Sequence, residues 1–301
     1  MTSIVIPAHN EGRVIGRLLD ALLAEGAEPG RPEPDIVVVC NGCTDDTAAV
    51  AGARGGRVRV VEIPTPSKHT ALRVGDEHAR GFPRLYVDAD VVLGAAGARA
   101  LADAFAAGPE LLAAAPGRDI PLSGCAWPVR AYYRVWQRLP AVREGLFGRG
   151  VIAVSEQGHA RLAALPPLMA DDLAASLAFG PGERRVVEEV RVVVRPPRTW
   201  ADLIRRKVRA STSSAELERF QAQPGAGSGA VAGSGPGAGA PAPSARTGGG
   251  DLRALALAQP RLLPGIAVFV VAALAARRGS RKAIRTGDFS TWLRDESSRQ
   301  D

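Results

Sequence analysis

The sequence predicts an α/β protein with a Rossmann-like, mostly parallel sheet flanked by helices. Two observations support this prediction. Within the first 95 residues, short apolar runs alternate with stretches whose apolar residues recur at helical spacing. The run at residues 36–40 is almost continuously apolar, as expected of a parallel strand that is covered on both faces. Such alternation is typical of βαβ units.

Each element follows from its own pattern. The first strands are predicted at residues 3–6, 36–40, 58–63 and 85–87, with helices at 13–25, 44–54 and 68–80. The first strand should stop at Pro7, because proline fits poorly in a central parallel strand. The second helix opens with three residues that can cap free N–H groups, Thr44, Asp45 and Asp46. Beyond these, helices are predicted at residues 96–107, 170–179 and 200–210, and strands at 151–154 and 186–194.

The composition of the second half predicts a segmented chain. Residues 224–250 are almost all Gly, Ala, Ser and Pro, which is typical of a flexible linker. The predicted division is a first half of one domain at residues 1–95, a second half of the same domain at 96–220, a linker at 221–250 and a helical tail at 251–301.

The tail contains an apolar run at residues 262–276, followed by Arg277 and Arg278. A helix of this length reaches roughly 22 Å, short of the ~30 Å hydrocarbon core of a bilayer. Two alternatives stay open: a helix that contacts a membrane surface, and a helix that packs on the globular domain. The basic residues after the run would favour an anionic cytoplasmic leaflet.

Charge and cysteine content restrict the expected binding partners and the expected cellular compartment. The formal net charge of +7 suits anionic partners such as nucleotides or phospholipid surfaces. Nucleic acid is not an expected partner, because the basic residues are not interleaved with aromatic residues in any one motif. The three cysteines argue against a disulfide framework, and no apolar leader precedes residue 3. We therefore expect a cytoplasmic protein, peripheral to the inner face of the membrane if the tail binds lipid. The Arg-rich, Ala-rich and Gly-rich composition hints at a bacterial source.

The strongest chemical motif is Asp88-Ala89-Asp90, which follows the predicted strand at residues 85–87. In parallel sheets, ligands bind beyond the carboxyl ends of the strands. On an extended segment, residues 88 and 90 would point the same way, so both carboxylates could face one site. Mg²⁺ and Mn²⁺ prefer such oxygen ligands and can bridge them to a diphosphate. The alternative is a solvated turn after a strand.

Two further segments place polar residues at the same predicted edge. Pro7, His9, Asn10 and Glu11 follow the first strand, and Asn41 follows the second. The alternative for the first segment is a strand-to-helix loop that Asn10 caps. Cys40 and Cys43 form a C-x-x-C pair, but without a second pair a four-ligand zinc site is not expected, and small buried thiols are the favoured interpretation.

Together these segments resemble the inverting nucleotide-sugar glycosyltransferases of family two, which have the GT-A fold. The resemblance extends over about residues 3–215, through a helix-forming stretch at 67–75, an acidic pair at 171–172 and a basic segment at 195–209. It implies that residues 1–95 bind a nucleoside-diphosphate sugar as donor and that residues 96–220 bind the acceptor, which is a glycan, a lipid or a small molecule. It also implies a Mn²⁺ or Mg²⁺ cofactor. The acidic residue common at the position of Asn41 is missing here, so the resemblance does not identify the base.

The resemblance also implies roles for individual residues. Pro7, His9 and Glu11 would line the nucleotide site together with Asn41 and Lys68. Asp88 would contact the ribose side of the nucleotide, and Asp90 would hold the metal with help from Asp88. Asp172 would be the catalytic base, with Asp171 beside it. The basic segment supplies candidates for diphosphate contact, Arg205, Arg206 and Arg209.

Three other classes of function are alternatives to a glycosyltransferase. A dinucleotide-dependent oxidoreductase would need a G-x-G-x-x-G turn after the first strand, where this chain has Pro7-Ala8-His9-Asn10-Glu11-Gly12. A sugar-nucleotide nucleotidyltransferase usually opens with a Gly-rich basic loop at the same place. The third alternative is a non-catalytic nucleotide-sugar-binding protein. This chain lacks the motifs of the oxidoreductase and of the nucleotidyltransferase. A non-catalytic binding protein can be distinguished from an enzyme only by an activity assay.

Overall fold

The computed structural model describes residues 1–24, 32–165, 171–221 and 248–286. Within these, the side chains of residues 171–172, 213–221 and 282–286 are not described. Almost all of the predicted linker, residues 222–247, lies outside the described residues, as does the end of the predicted tail at 287–301.

Seven strands form one mixed, mostly parallel sheet in the order β3-β2-β1-β4-β6-β5-β7. The strands are β1 Ser3–Ala8, β2 Asp35–Asn41, β3 Val58–Ile63, β4 Arg84–Val87, β5 Ala113–Asp119, β6 Val151–Val154 and β7 Arg184–Val193. The first four strands are parallel to one another, whereas β6 runs antiparallel to both β4 and β5. β5 and β7 are parallel. The predicted fold class is confirmed.

Eleven α-helices are found in the described residues. They are α1 Gly12–Leu23, α2 Thr47–Gly52, α3 Lys68–His78, α4 Ala95–Ala107, α5 Trp127–Trp136, α6 Pro140–Glu144, α7 Glu156–Ala163, α8 Asp171–Leu177, α9 Trp200–Gln221, α10 Gly249–Ala258 and α11 Leu263–Thr286. Two short 3₁₀ turns occur at Gly55–Arg57 and Pro260–Leu262. Helix α2 is shorter than predicted, and α9 and α11 extend well beyond their predicted ends.

The prediction that the first strand stops at Pro7 is wrong. β1 continues to Ala8, and Pro7 pairs in register with Val39 of β2. The ladder with β4 ends at Val5, so β1 has a paired neighbour on one side only where Pro7 lies. A proline lacks an N–H to donate, and this half-open position does not require one.

By contact, the chain separates into two compact units that interleave along the sequence. Unit 1 comprises residues 1–119, 148–166 and 179–194, and it contains the whole sheet. Its core joins β1, β2 and β4 to α1 and α4 through fully buried residues, among them Ile4, Leu18, Leu85 and Leu101. Unit 2 comprises residues 120–147, 167–178 and 195–301. The predicted boundaries at residues 95 and 220, which divide the chain by function, stay a prediction.

Unit 2 is helical and has its own apolar core. Tyr132 of α5, Leu203 of α9 and Phe269 of α11 are all buried in it. The rings of Tyr132 and Phe269 are stacked with centroids 5.0 Å apart. Helix α11 therefore packs against α5 and α9. This agrees with the alternative in which the apolar run at residues 262–276 packs on the folded protein.

Candidate active site

Four parallel strands of unit 1 end at one edge of the sheet and carry most of the predicted site residues there. His9 follows β1, Asn41 is the last residue of β2, Lys68 opens α3 after β3, and Asp88 follows β4. Since the carboxyl ends of parallel strands form the ligand-binding edge of such sheets, this edge is the candidate site.

Lys68 and Asp88 form an ion pair at this edge. The Lys68 Nζ atom donates to Asp88 Oδ1 at 2.8 Å, and both side chains are partly exposed, 33% and 40%. Lys68 is held at the first turn of α3, where the Ser67 hydroxyl accepts from the Thr70 N–H at 3.2 Å and caps the helix. The positive end of the helix dipole adds to the charge of Lys68 and favours an anion at this place.

Asp88 and Asp90 lie in a tight turn rather than on an extended segment. The Val91 N–H donates to the Asp88 carbonyl at 3.1 Å, and Ala89 between the two carboxylates is buried. Asp90 is exposed at the tip of the turn. The expectation that residues 88 and 90 extend the strand is therefore wrong, and the turn, rather than the pleat of a strand, sets the directions of the two carboxylates.

His9 and Asn41 are joined across the neighbouring strands β1 and β2. The His9 Nδ1 atom lies 2.6 Å from the Asn41 carbonyl oxygen. A carbonyl oxygen only accepts hydrogen bonds, so His9 Nδ1 must carry a proton and donate it to this oxygen. The Asn41 side chain is buried and donates to the Ala8 carbonyl at 2.8 Å. Asn41 therefore braces β1 and orients the His9 ring.

The loop after β1 is bound to the loop after β2 by several polar contacts. Asn10 adopts a positive φ of 54°, and its side-chain oxygen accepts from the Thr44 N–H at 2.8 Å. The Glu11 N–H donates to the Thr47 hydroxyl at 2.8 Å. These contacts fix the backbone of both loops, so the residues that follow β1 are presented at the edge in one arrangement.

Asp45 bridges the starts of two helices, as its predicted capping role requires. It accepts from the N–H of Thr47 at 3.1 Å and from the N–H of Gly12 at 3.1 Å. Burial would raise the pKa of this carboxyl, but the hydrogen bonds from Thr47 and Gly12 outweigh it and lower the pKa. Asp45 thus remains ionised and belongs to the support of the site.

Sequence reasoning missed Arg149 and Gly150, which precede β6. The Asp88 N–H donates to the Gly150 carbonyl at 2.8 Å, and Gly150 has a φ of 68°. A Cβ atom at Gly150 would lie 2.3 Å from Val91 Cγ2 and 3.4 Å from Asp88 Oδ2, so this position needs a glycine. The signal in the sequence was a pair of glycines, 148 and 150, around an arginine and before an apolar run.

Arg149 is a buried cation next to this glycine. It is 2% exposed and donates to the Pro116 carbonyl at 2.9 Å. Burial lowers its pKa to about 10, with nearby Glu188 acting in the opposite direction. Arg149 therefore stays charged at neutral pH and is the sequence neighbour of Gly150, whose carbonyl accepts from the Asp88 N–H.

The remaining predicted residues lie in unit 2. Asp171 and Asp172 are the first residues of α8, and their side chains lie outside the described part of the structure. On α9, Arg205 pairs with the buried Asp202 carboxylate, and Arg206 donates to the Arg195 carbonyl at 3.5 Å. Arg209 is half-buried on the same helix. None of these observations tests a diphosphate contact, which stays a prediction.

The C-x-x-C pair is a pair of small packed thiols. Cys40 is buried on β2, and its pKa is raised to about 12 by burial and then by Cys43. Cys43 is half-buried, and its sulfur lies 3.5 Å from the Ala8 carbonyl. Within the described ranges, no group of three or more His, Cys, Asp or Glu side chains is placed to hold a metal.

The mostly parallel seven-stranded sheet with flanking helices is the GT-A fold. The sequence model described as Glycosyl transferase family 2 matches residues 3–146, which include β1 to β5 and the Asp88–Asp90 turn. The matched segment is slightly less than half of the chain, and over it the protein is similar to glycosyl transferase family 2. A comparison with curated proteins gives no match.

Three solved structures share the fold. A mannosyltransferase from Pyrobaculum calidifontis in complex with GDP-Man and Mn²⁺ is 20% identical, with a TM-score of 0.56 over 97% of this chain and 81% of the other. Glucosyl-3-phosphoglycerate synthase from Mycobacterium tuberculosis in complex with phosphoglyceric acid is 18% identical, with a TM-score of 0.52 over 73% and 79%. A mycobacterial protein is 20% identical, with a TM-score of 0.51 over 75% and 76%. At these identities the likeness establishes the fold.

Proposed function

We propose that the protein binds a nucleoside-diphosphate sugar at the carboxyl edge of unit 1 and transfers its glycosyl group, with inversion, to a hydroxyl acceptor. The observation that carries this proposal is the Lys68–Asp88 ion pair at the first turn of α3. A diphosphate is an anion, and a lysine at a helix N-terminus is a site that favours one. The partial exposure of both side chains leaves them accessible to a ligand.

The residues at this edge fit a divalent cation. Mg²⁺ is commonly held by one or two protein carboxylates together with the phosphates of the substrate, so a site of three protein ligands is not required. Asp90, exposed at the tip of its turn, would hold Mn²⁺ or Mg²⁺, with Asp88 as the second carboxylate. When bound, the cation would stabilise the negative charge that develops on the leaving diphosphate.

His9 is the candidate for contact with the nucleotide base. Its ring is held by the Asn41 carbonyl, and an oriented ring can stack on a base without losing further freedom. Pro7 and Glu11 flank it on the same segment. Asn41, whose amide serves Ala8, is a positioning residue in this arrangement.

The acceptor must lose a proton during transfer. Its hydroxyl oxygen attacks the anomeric carbon, the bond from that carbon to the diphosphate oxygen breaks with its electron pair, and the hydroxyl proton passes to a carboxylate. A single displacement inverts the anomeric configuration. Asp172 is our candidate for that base, with Asp171 raising its proton affinity through like-charge repulsion. Arg205, Arg206 and Arg209 are candidates for contact with the diphosphate. The acceptor is a glycan, a lipid or a small molecule.

Metal-dependent nucleotide binding tests the donor site directly. Melting curves of the full chain with UDP and with GDP should show stabilisation by one of them that requires Mn²⁺. The Asp90→Asn variant should lose this stabilisation, whereas Asp103→Asn, an exposed carboxylate on α4, should keep it. If neither nucleotide stabilises the protein, or if Asp90→Asn behaves like the control, the donor site is wrong.

The catalytic base needs a separate measurement. Release of nucleoside diphosphate from the donor that binds should fall by at least about 100-fold in Asp172→Asn, a typical contribution of a general base. Binding of the nucleotide in the melting assay should be unchanged in the same variant. A variant that turns over the donor at the wild-type rate would exclude Asp172 as the base.

A further inference from the structure

Helix α11 has one face that is covered by unit 2. Phe269, Ala272, Ala276 and Ser280 are buried there, against α5 and α9. The packing is close, because a Cβ atom at Gly279 would lie 2.6 Å from Val208 Cγ2. This face is fully used in the fold of the unit.

The opposite face of α11 is apolar and exposed. Leu263 is 53% exposed, Val270 39%, Val271 55% and Leu274 46%. At 3.6 residues per turn, these side chains and the exposed Ala267 fall within an arc of about 120°. In the described parts of the chain, five of the nine large hydrophobic side chains that are exposed lie between residues 257 and 274. Such clustering indicates a surface that something else covers.

Positive charge borders this face at both ends. Arg277, Arg278 and Arg281 are exposed on the last turns of α11, and Arg253 and Arg261 are exposed before it. The sequence of residues 248–281 has these five arginines and one acid, Asp251, so its formal charge is five minus one, or +4. Within Pro260–Arg281, an 18-residue stretch has a mean hydropathy of 1.6, and 22% of that stretch is buried.

We propose that the apolar face of α11 lies on the surface of a bilayer that contains anionic lipids, with Leu263, Val270, Val271 and Leu274 inserted among the acyl chains. The flanking arginines then lie at the level of the lipid phosphates. An apolar helix face rimmed by arginines is complementary to such a surface in both respects, because acyl chains accept the apolar side chains and lipid phosphates pair with the arginines. An uncharged surface would leave the arginines without anionic partners. This inference goes beyond the proposed function and does not depend on it.

Two other arrangements agree less well with these observations. A helix that spans the bilayer would need apolar surroundings on every side, but one face of α11 packs on α5 and α9, where Lys207 also lies. A symmetric dimer would bring the same face of two copies together. Each copy would then offer five arginines and a single acid, so the contact would lack the carboxylates to pair them.

Vesicle flotation of the full chain tests the proposal. We expect the protein to float with vesicles of phosphatidylcholine and phosphatidylglycerol, and to float less with phosphatidylcholine alone. Flotation should also decrease at high salt, because salt screens the attraction between the arginines and the anionic lipids. Val271→Glu with Leu274→Glu should weaken partitioning by at least about tenfold, and so should Arg277→Gln with Arg278→Gln and Arg281→Gln. The matched control is Val193→Glu, an exposed valine at the end of β7.

Melting curves establish that each variant is folded, which these exposed positions should allow. Absence of flotation by the wild type overturns the proposal, as does equal flotation with neutral and anionic vesicles. Light scattering gives the remaining outcome: a dimer that Val271→Glu with Leu274→Glu dissociates would assign this face to a second copy of the chain instead.

Discussion

The Nζ atom of Lys68 lies 2.8 Å from the Oδ1 atom of Asp88, which joins the helix that follows β3 to the turn that follows β4. Strands β3 and β4 are separated by β2 and β1 in the sheet, and α3, which packs on β1 and β2, brings Lys68 to the turn after β4. The ion pair therefore holds the ammonium group of Lys68 beside the turn that carries Asp90.

Replacing Lys68 by Met should weaken binding far more than folding. Both partners are partly exposed, and ion pairs of this kind contribute only about 0.2–1 kcal/mol to stability. We expect metal-dependent affinity for a nucleoside diphosphate to fall about tenfold or more by calorimetry, because the anion loses its cation. Arg54→Met, which breaks the ion pair between Arg54, two residues after α2, and Asp20 of α1, is the control for stability. Unchanged affinity in Lys68→Met would exclude its proposed role.

A Gly150→Ala substitution should be unusually costly for a surface loop. The positive φ alone costs roughly 1–2 kcal/mol, and the contact with Val91 adds overpacking, so chemical denaturation should show a loss of roughly 2–4 kcal/mol. Gly55→Ala is a matched control, because Gly55 has a φ of 65° but open space around its Cβ position. If the two variants lose the same free energy of unfolding, the close approach of Gly150 to Val91 and Asp88 is not as described.

Asn41→Ala should act on stability rather than on the choice of base. The substitution removes a buried donor and leaves the Ala8 carbonyl without it, at a cost of about 1–3 kcal/mol. The ratio of melting shifts given by UDP and GDP should stay at the wild-type value. A changed ratio at unchanged stability would instead indicate that the amide reads the base.

Lys207 should give the protein a pH dependence in alkaline solution. Burial, and then Arg277, lower its pKa to about 8, and the ammonium lies over the rings of Tyr132 and Phe269. Between this value and the ordinary pKa of about 10.4, the unfolded chain binds more protons than the folded chain, so the stability contributed here rises with pH. Relative to Lys207→Met, the free energy of unfolding of the wild type should therefore increase from about pH 8 to pH 10.

Thiol labelling separates the three cysteines. Burial raises the pKa of Cys40 to about 12 and also raises the pKa of Cys125, so both should be protected from iodoacetamide at mildly alkaline pH. Cys43 is half-buried and should be alkylated first, as mass spectrometry of timed samples can show. Equal labelling of Cys40 and Cys43 would mean that the loop after β2 opens.

The first four strands were predictable because each is an apolar run between helical patterns. β5 was not, because its sequence Ala113–Asp119 contains three alanines, a proline and a glycine, and owes its place to pairing with β6 and β7. The antiparallel direction of β6 has no local signal either. Likewise, the sequence identified Lys68 and Asp88 separately, but their contact depends on the order of the strands in the sheet.

The same limit applies to Pro7 and to the Asp88–Asp90 turn. The rule that proline ends a central strand is sound where both sides are paired, but the ladder with β4 ends before Pro7. The turn at Asp88 is imposed by the hydrogen bond from its N–H to Gly150, a residue more than 60 positions away. Contacts made at such separations lie beyond any local pattern.

The interleaving of the two units has a practical meaning for fragments of this protein. A truncation at residue 146, where the family resemblance in sequence ends, would keep β4 and β5 but remove β6 and β7, their hydrogen-bonded neighbours. Both retained strands would then expose open edges, which invite aggregation. Expression of unit 1 alone would therefore need the chain through residue 194, with the intervening helices of unit 2 carried along or replaced by short tethers.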